Sequence, residues 1–278
     1  MDERQNLGAV DNFALQHLSG FLTAVGTTLT AVVAATGDTF TVMDKVGRVF
    51  VVGAWAKLQA AGKFQIYGKR EFHDPVNGYN DRIAIGVMDD LIPLGCLPEV
   101  IPPDALVPMI SGSATAGDIE SVGLQLGFLG PQAPTQHNMN IAEFEKRKLG
   151  HIVSVEVPIT AGTAGGYSGT AAFNVANSLM NLANGEVFAL LGIKSTVALC
   201  SVGYYGPDTM NLRIGVPGYL ADKPRCGRYF LDRAIIMPSL RWIPIINGGN
   251  IPQTFAWVVS DENAASPILT FVLQQIKP

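Results

Sequence analysis

The sequence has 278 residues, a formal net charge of −4, 48% hydrophobic residues and only 15% charged ones, where an average soluble protein has about 25%. Mean hydropathy is +0.26 and the isoelectric point about 5.5, which excludes a global basic field for nucleic acid. Three cysteines without a C-x-x-C pair argue against a zinc ribbon or a disulfide framework. No apolar run reaches the ~18 residues of a membrane-spanning helix.

Met1 to Gln5 carries acids and leads into no clean apolar stretch, so no secretory leader is expected. Residues 11–26 are expected to form a helix. Asp11 is placed to cap it, and Leu15, Leu18, Leu22 and Val25 recur at spacings of 3, 4 and 3, with Phe21 widening the stripe. The polar face carries Asn12, Gln16, His17 and Ser19 rather than Lys and Arg, which favours packing on protein over a lipid surface. From Leu29 the pattern turns to strands: Leu29–Ala35, Phe40–Met43, Val49–Val52, Lys63–Tyr67 and Arg82–Ile85 are short, β-branched or alternating. Residues 91–108 hold five prolines and read as a rigid surface connection. Ile119–Leu129 returns to strand, with Val122, Leu124, Leu126 and Phe128 on one face.

Residues 130–150 form a joint, broken at Pro131 and Pro134, with a short helix over Asn140–Leu149 and Gly150 as its stop. Ile152–Val157 opens a second run of strands, and the glycine-rich stretch Thr160–Thr170 is a loop. Phe173–Asn184 fits either a helix or a strand. Val187–Leu191, Val197–Tyr205 and Leu212–Val216 are strands; a proline-punctuated, loop-rich section follows, and Phe255–Val259 and Ile268–Ile276 close the chain. Seven or eight short strands per half indicate antiparallel sandwiches, either immunoglobulin-like or jelly roll. The long proline-rich connections suit a jelly roll better.

The halves carry similar marks. Gly47, Val49, Phe50, Tyr67 and Gly68 recur as Gly185, Val187, Phe188, Tyr205 and Gly206, each 138 residues on. Ile85-Gly86-Val87 recurs as Ile214-Gly215-Val216 at an offset of 129, which places nine extra residues between Lys69 and Arg82 of the first copy. Turn residues and charge make that insertion a projecting loop, and Lys69, Arg70, Phe72, His73, Asp74 and Tyr79 its candidate interaction residues.

The search for chemistry finds no motif. His17, His73, His137 and His151 show no metal-ligand spacing, and Gly166-Tyr167-Ser168-Gly169 lacks the setting of a nucleophile elbow. Asp89 and Asp90 are adjacent and would diverge on a strand. Trp55, Trp242 and Trp257 do not interleave with basic residues and are expected in the core or an interface. No enzyme activity, cofactor or metal is expected.

A duplicated sandwich with a leading helix, proline-rich connections, low charge and no catalytic set resembles the double jelly-roll major capsid proteins of tailless icosahedral, membrane-containing bacteriophages. The resemblance covers residues 29–278 in architecture. It implies an all-β chain of two tandem jelly rolls: a helical arm over 1–28, a first jelly roll over 29–130, a linker over 131–150 and a second jelly roll over 151–278. It further implies a virion protein, assembled in the host cytoplasm as homotrimers within an icosahedral shell. Its partners would be its own copies and other virion proteins, with no sequence-specific nucleic-acid binding. Leu15, Leu18, Phe21, Leu22 and Val25 would form an interface helix facing neighbouring subunits or an internal membrane. The alternative is a double-sandwich carbohydrate- or surface-binding module, with loops 69–82 and 160–170 contacting ligand through Tyr79, Tyr167 or His73.

Overall fold

The computed structural model describes residues 12–42, 47–67, 79–83, 86–87, 99–100, 105–160, 162–167, 171–173, 185–218, 226–260 and 265–278. The chain is mostly β: among the described residues strand outweighs helix 52% to 14%, and the sheets are antiparallel. The first half runs β1 (Phe13–Thr23), β2 (Thr30–Ala31), β3 (Val33–Ala34), β4 (Arg48–Leu58), β5 (Gly62–Tyr67), β6 (Tyr79–Ile83), β7 (Gly86–Val87), β8 (Glu99–Val100), β9 (Val107–Ser111) and β10 (Ile119–Leu129). The second runs β11 (Asn138–Met139), α1 (Ile141–Arg147), β12 (Lys148–Pro158), β13 (Ala171–Ala172), β14 (Val187–Ser195), β15 (Ser201–Tyr205) and β16 (Ile214–Pro217). It ends with α2 (Tyr229–Ile236), β17 (Ile243–Asn247), β18 (Phe255–Val259) and β19 (Ile268–Ile276).

Each half builds two sheets in the same order. In the first, β1-β10-β4-β8 lie side by side, with β3 and β7 as additions, and β2-β9-β5-β6 form the other sheet. In the second, β12-β19-β14-β17 carry β11 as an addition, and β13-β18-β15-β16 form the other sheet. Counting the eight shared strands along either half, the sheets read 1-8-3-6 and 2-7-4-5. A detail inside the third strand repeats as well. Val52 is an extra residue where β4 meets β10, and Leu191 is an extra residue where β14 meets β19; each is followed by a glycine, Gly53 or Gly192.

Those bulges correct the repeat read from the sequence. Superposing them sets Val51 against Leu190 and Gly53 against Gly192, an offset of 139 rather than 138. One residue along a strand is a change of face. Val49 and Val51 lie in the first half's own core, while Phe50 lies among residues of the second half. Phe188 shares the face of Leu190, which pairs with Leu273, so it is not the counterpart of Phe50. The tyrosine mark is equivalent: Ile66 pairs with Pro108 as Tyr204 pairs with Ala256, which aligns Tyr67 with Tyr205. The last mark is not, because β7 pairs with β4 whereas β16 pairs with β15. The true partner of β16 is β6. Ile66 and Tyr79 pair across thirteen residues and Tyr204 and Ile214 across ten, so the first copy's insertion is three residues, not nine.

The expected N-terminal helix is also corrected: residues 13–23 are strand β1, paired along its full length with β10. The spacing of Leu15, Leu18 and Leu22 is helical only by coincidence. Almost every residue from Phe13 to Gly20 is buried, because β1 has protein on both faces, and a strand covered on both sides loses the alternation that identifies a half-exposed one. Ala14 and Leu18 join the first half's core, while Phe13 and Leu15 join a core otherwise built mainly from the second half. Helix α1 forms where expected, but it ends at Arg147. Asn140 accepts from the Glu143 amide and Glu143 returns a bond to the Asn140 amide, a capping box. Gly150, expected as its stop, lies within β12. Helix α2 was not expected. Its buried residues Tyr229, Phe230, Arg233 and Ala234 make one face in a stretch whose prolines read as loop.

Candidate functional site

The two halves meet where the outward face of the β1-β10-β4 sheet lies on the outward face of the β13-β18-β15-β16 sheet. The alternation of β10 makes this possible. Leu124 and Leu126 point into the first core, which turns Gly123 and Gln125 toward the second half. Trp55 Nε1 donates to Ser201 Oγ at 3.0 Å, Lys57 Nζ to the Ala198 carbonyl at 3.0 Å, and the Gly215 amide to Gln125 Oε1 at 3.3 Å. The His17 amide donates to the Arg213 carbonyl at 2.7 Å.

His17 is the centre of this seam. Its ring stacks on Trp55 (centroids 5.4 Å, 21° between planes) and on Trp257 (4.8 Å, 27°), and meets Tyr167 edge-on at 6.3 Å. Gly215 must be glycine here, since a Cβ would come within 2.7 Å of His17 Cγ and 2.8 Å of Trp257. The side chain is 1% exposed, and neither ring nitrogen has a hydrogen-bond partner among the described residues. Burial, reinforced by the Arg213 charge, pushes its pKa down to about 3. His17 is therefore neutral at every ordinary pH.

Beside the stack a charged clasp joins the halves. Asp38 accepts from Tyr167 Oη at 2.6 Å, from the Ser19 amide at 2.7 Å and from Arg213 Nη1 at 3.1 Å. The Arg213 guanidinium also lies 3.9 Å from the centre of the Tyr167 ring. Burial raises the Asp38 carboxyl above its ordinary value, against the pull of these donors. Burial first, and Asp38 second, push the Tyr167 phenol well above its own.

A second polar cluster lies within the second half. Asp208, its side chain 3% exposed, accepts from His137 Nδ1 at 2.8 Å, Asn250 Nδ2 at 2.8 Å, the Asn247 amide at 3.0 Å and the Asn247 side-chain amide. It ties the turn at 207–209 to the approach to β11 and the end of β17. The Asp–His pair has the form of an oriented base, but the neighbouring hydroxyl of Thr209 is spent on the Gly206 and Leu212 carbonyls. Among the described residues no group of His, Cys, Asp and Glu is arranged to hold a metal, and no helix is long and apolar enough to cross a membrane.

Of the residues singled out in the sequence, Lys69, Arg70, Phe72, His73 and Asp74 lie outside the described residues, and Tyr79 opens β6. Cys96, Asp89 and Asp90 also lie outside them. Leu15 and Phe21 do serve an interface, but an internal one: Leu15 packs in the second half's core, and the Phe21 ring fills the space a side chain at Gly165 would need. Leu18, Leu22 and Val25 belong to the first half's core. Tyr167, a candidate ligand contact, is bound instead to Asp38. Sequence reasoning missed Asp38, Trp55, Trp257 and Arg213 as one constellation, because they come from four distant segments. Their only signal was a histidine and two tryptophans in a charge-poor chain.

No family model matches the chain, and no curated protein matches it. Among solved structures, the crystal structure of PBSX exported protein XepA aligns with 95% of this chain and 86% of its own, at 9% sequence identity and a TM-score of 0.20. That value is too low to bear on fold or function.

Proposed function

We propose that the chain is a structural coat subunit, built of two tandem jelly rolls, that works by burying surface against further copies of itself. The strand orders 1-8-3-6 and 2-7-4-5 in both halves support the jelly-roll reading, since that order is a pair of Greek keys rolled together. The observation that carries the function is the seam itself. It stacks the 1-8-3-6 sheet of one half on the 2-7-4-5 sheet of the other, a contact between unlike faces of like bodies.

Such a contact is heterologous, and repeating it between chains generates a ring when the rotation closes. The face that would continue the series is the outer side of β12 and β19. It carries Ile152 (64% exposed) and Ile268 (37% exposed), with Val197 beside it. Obligate interfaces of this kind bury on the order of 2,000–5,000 Å² and are apolar, which fits a chain with 15% charged residues and, among the described residues, no spanning helix. Three chains then give six sandwiches around one axis, the unit of an icosahedral virion shell assembled in a host cytoplasm. In this reading the protein needs no cofactor and catalyses nothing.

Electron microscopy of the purified protein tests this reading. Class averages with three-fold symmetry and six lobes are expected. Averages of isolated two-lobed particles at micromolar concentration would reject it.

A further inference from the structure

We propose that His17 makes the seam an acid-sensitive joint, so that protons open the contact between the two halves before either half unfolds. The closed seam has no place for a proton on this ring. Trp55 and Trp257 stack on it, Tyr167 meets its edge, and neither nitrogen finds an acceptor among the described residues. Among the described residues, Gln125 Nε2 and Trp257 Nε1 are buried without a partner, but both are donors and cannot accept from a protonated ring. Gln125, its register partner on β10, accepts from Gly215, and Ser201 Oγ is engaged with Trp55 and lies 3.7 Å from Cys200 Sγ. Arg213, whose charge reaches the ring, repels a second cation.

The open seam has water, and there the ring regains its ordinary affinity for a proton. Protons therefore bind the open form and pull the equilibrium toward it. Asp38 opposes this in part: its raised pKa means that the closed form takes up a proton on the carboxyl more readily than the open form does. Tyr167, its phenol pushed well above its ordinary value, carries no charge in acid and does not contribute. Opening uncovers Phe13, Leu15, Phe50, Val52 and Leu129, the outward side chains of the first half that pack with the second half's core, but leaves the first half's inner core closed. The first half keeps Val49, Val51, Leu124 and Leu126 in a cluster of its own, whereas Trp55, Trp257, Cys200 and Val259 form a small third cluster in the seam.

Cys200 supplies the reporter, because it is fully buried in that third cluster, while Cys226 is fully buried away from the seam, against Gly192 of β14. Labelling by dithiodipyridine, a disulfide that thiols attack even in acid with release of thiopyridone, is followed residue by residue by mass spectrometry and scaled to a free thiol at the same pH. In the wild-type chain, Cys200 labelling is expected to rise as pH falls from roughly 6 to 4, by at most about tenfold per pH unit and less where Asp38 takes up its proton, with Cys226 still protected. His17→Phe, which keeps a stacked ring but cannot titrate, is expected to flatten that slope, and His17→Gln to flatten it without the ring. A flat wild-type profile overturns the proposal. So does a slope that persists in either folded variant, or Cys226 reacting in step with Cys200, which would mean the whole molecule unfolds at once.

Discussion

His17 converts one buried side chain into a pH dependence of the whole chain. Its native pKa of about 3 lies below the 6.5 of an exposed imidazole, so between those values the unfolded chain binds a proton that the native one refuses. Stability is complete above pH 6.5 and falls as pH drops toward 3, by up to about 4–5 kcal/mol if the whole shift is realised. Asp38 runs the other way, within the window between 3.8 and its raised native value, and trims that loss. Urea unfolding across this range should show a steep acid limb for the wild type and a much shallower one for His17→Phe; superimposable limbs would remove His17 from the account. Tyr167→Phe takes a donor from buried Asp38 and should cost about 1–3 kcal/mol at pH 7. A change within error would mean the clasp is incidental. None of this is legible from composition: the sequence sets His17 with Asn12, Gln16 and Ser19 on the polar face of an expected helix.

At the level of elements, strands that alternate or sit between turn residues are readable even where both faces are buried, as in β10 and β18. The boundaries of β10, β18 and β19 match the stretches expected from alternation and turn residues. Strand β1 does not, since contact with both halves makes nearly every position apolar or small and leaves a pattern that imitates a helix. Helix α2 was hidden for a related reason: prolines nearby say where the chain turns, not what it does between turns. The capping box of α1 was in plain view, and Asn140→Ala should cost about 1 kcal/mol, read as a drop in urea midpoint with an unchanged slope. The repeated bulge yields a sharper contrast. A Cβ at Gly192 would collide with the Cys226 carbonyl, whereas nothing lies within 4 Å of a Cβ at Gly150. Gly192→Ala should lose about 1–3 kcal/mol or more and Gly150→Ala almost nothing, by thermal unfolding. Equal effects would contradict the role given to the bulge.

At the scale of the molecule, duplication was sensed in the sequence through marks that were mostly misaligned. Among the described residues only the tyrosine pair holds in the strand register; Phe50 and Phe188 are one residue out, and the final mark falls on strands of different pairing. The repetition lies in strand order and in the bulge, both of which depend on hydrogen bonds between segments distant along the chain and leave little trace in residue identity. The seam between the halves shows how one sandwich buries its outer sheet on the next, and the exposed Ile152 and Ile268 lie where that contact would be repeated by another chain. Molar mass by light scattering, across concentration and salt, for the wild-type chain and for Ile152→Arg, tests this most directly. The account predicts a wild-type mass that is three times the 29.6 kDa of the chain or a multiple of that trimer, and a folded monomer for the variant. A wild-type chain that stays monomeric at every concentration, or a variant that assembles as the wild type does, would contradict it.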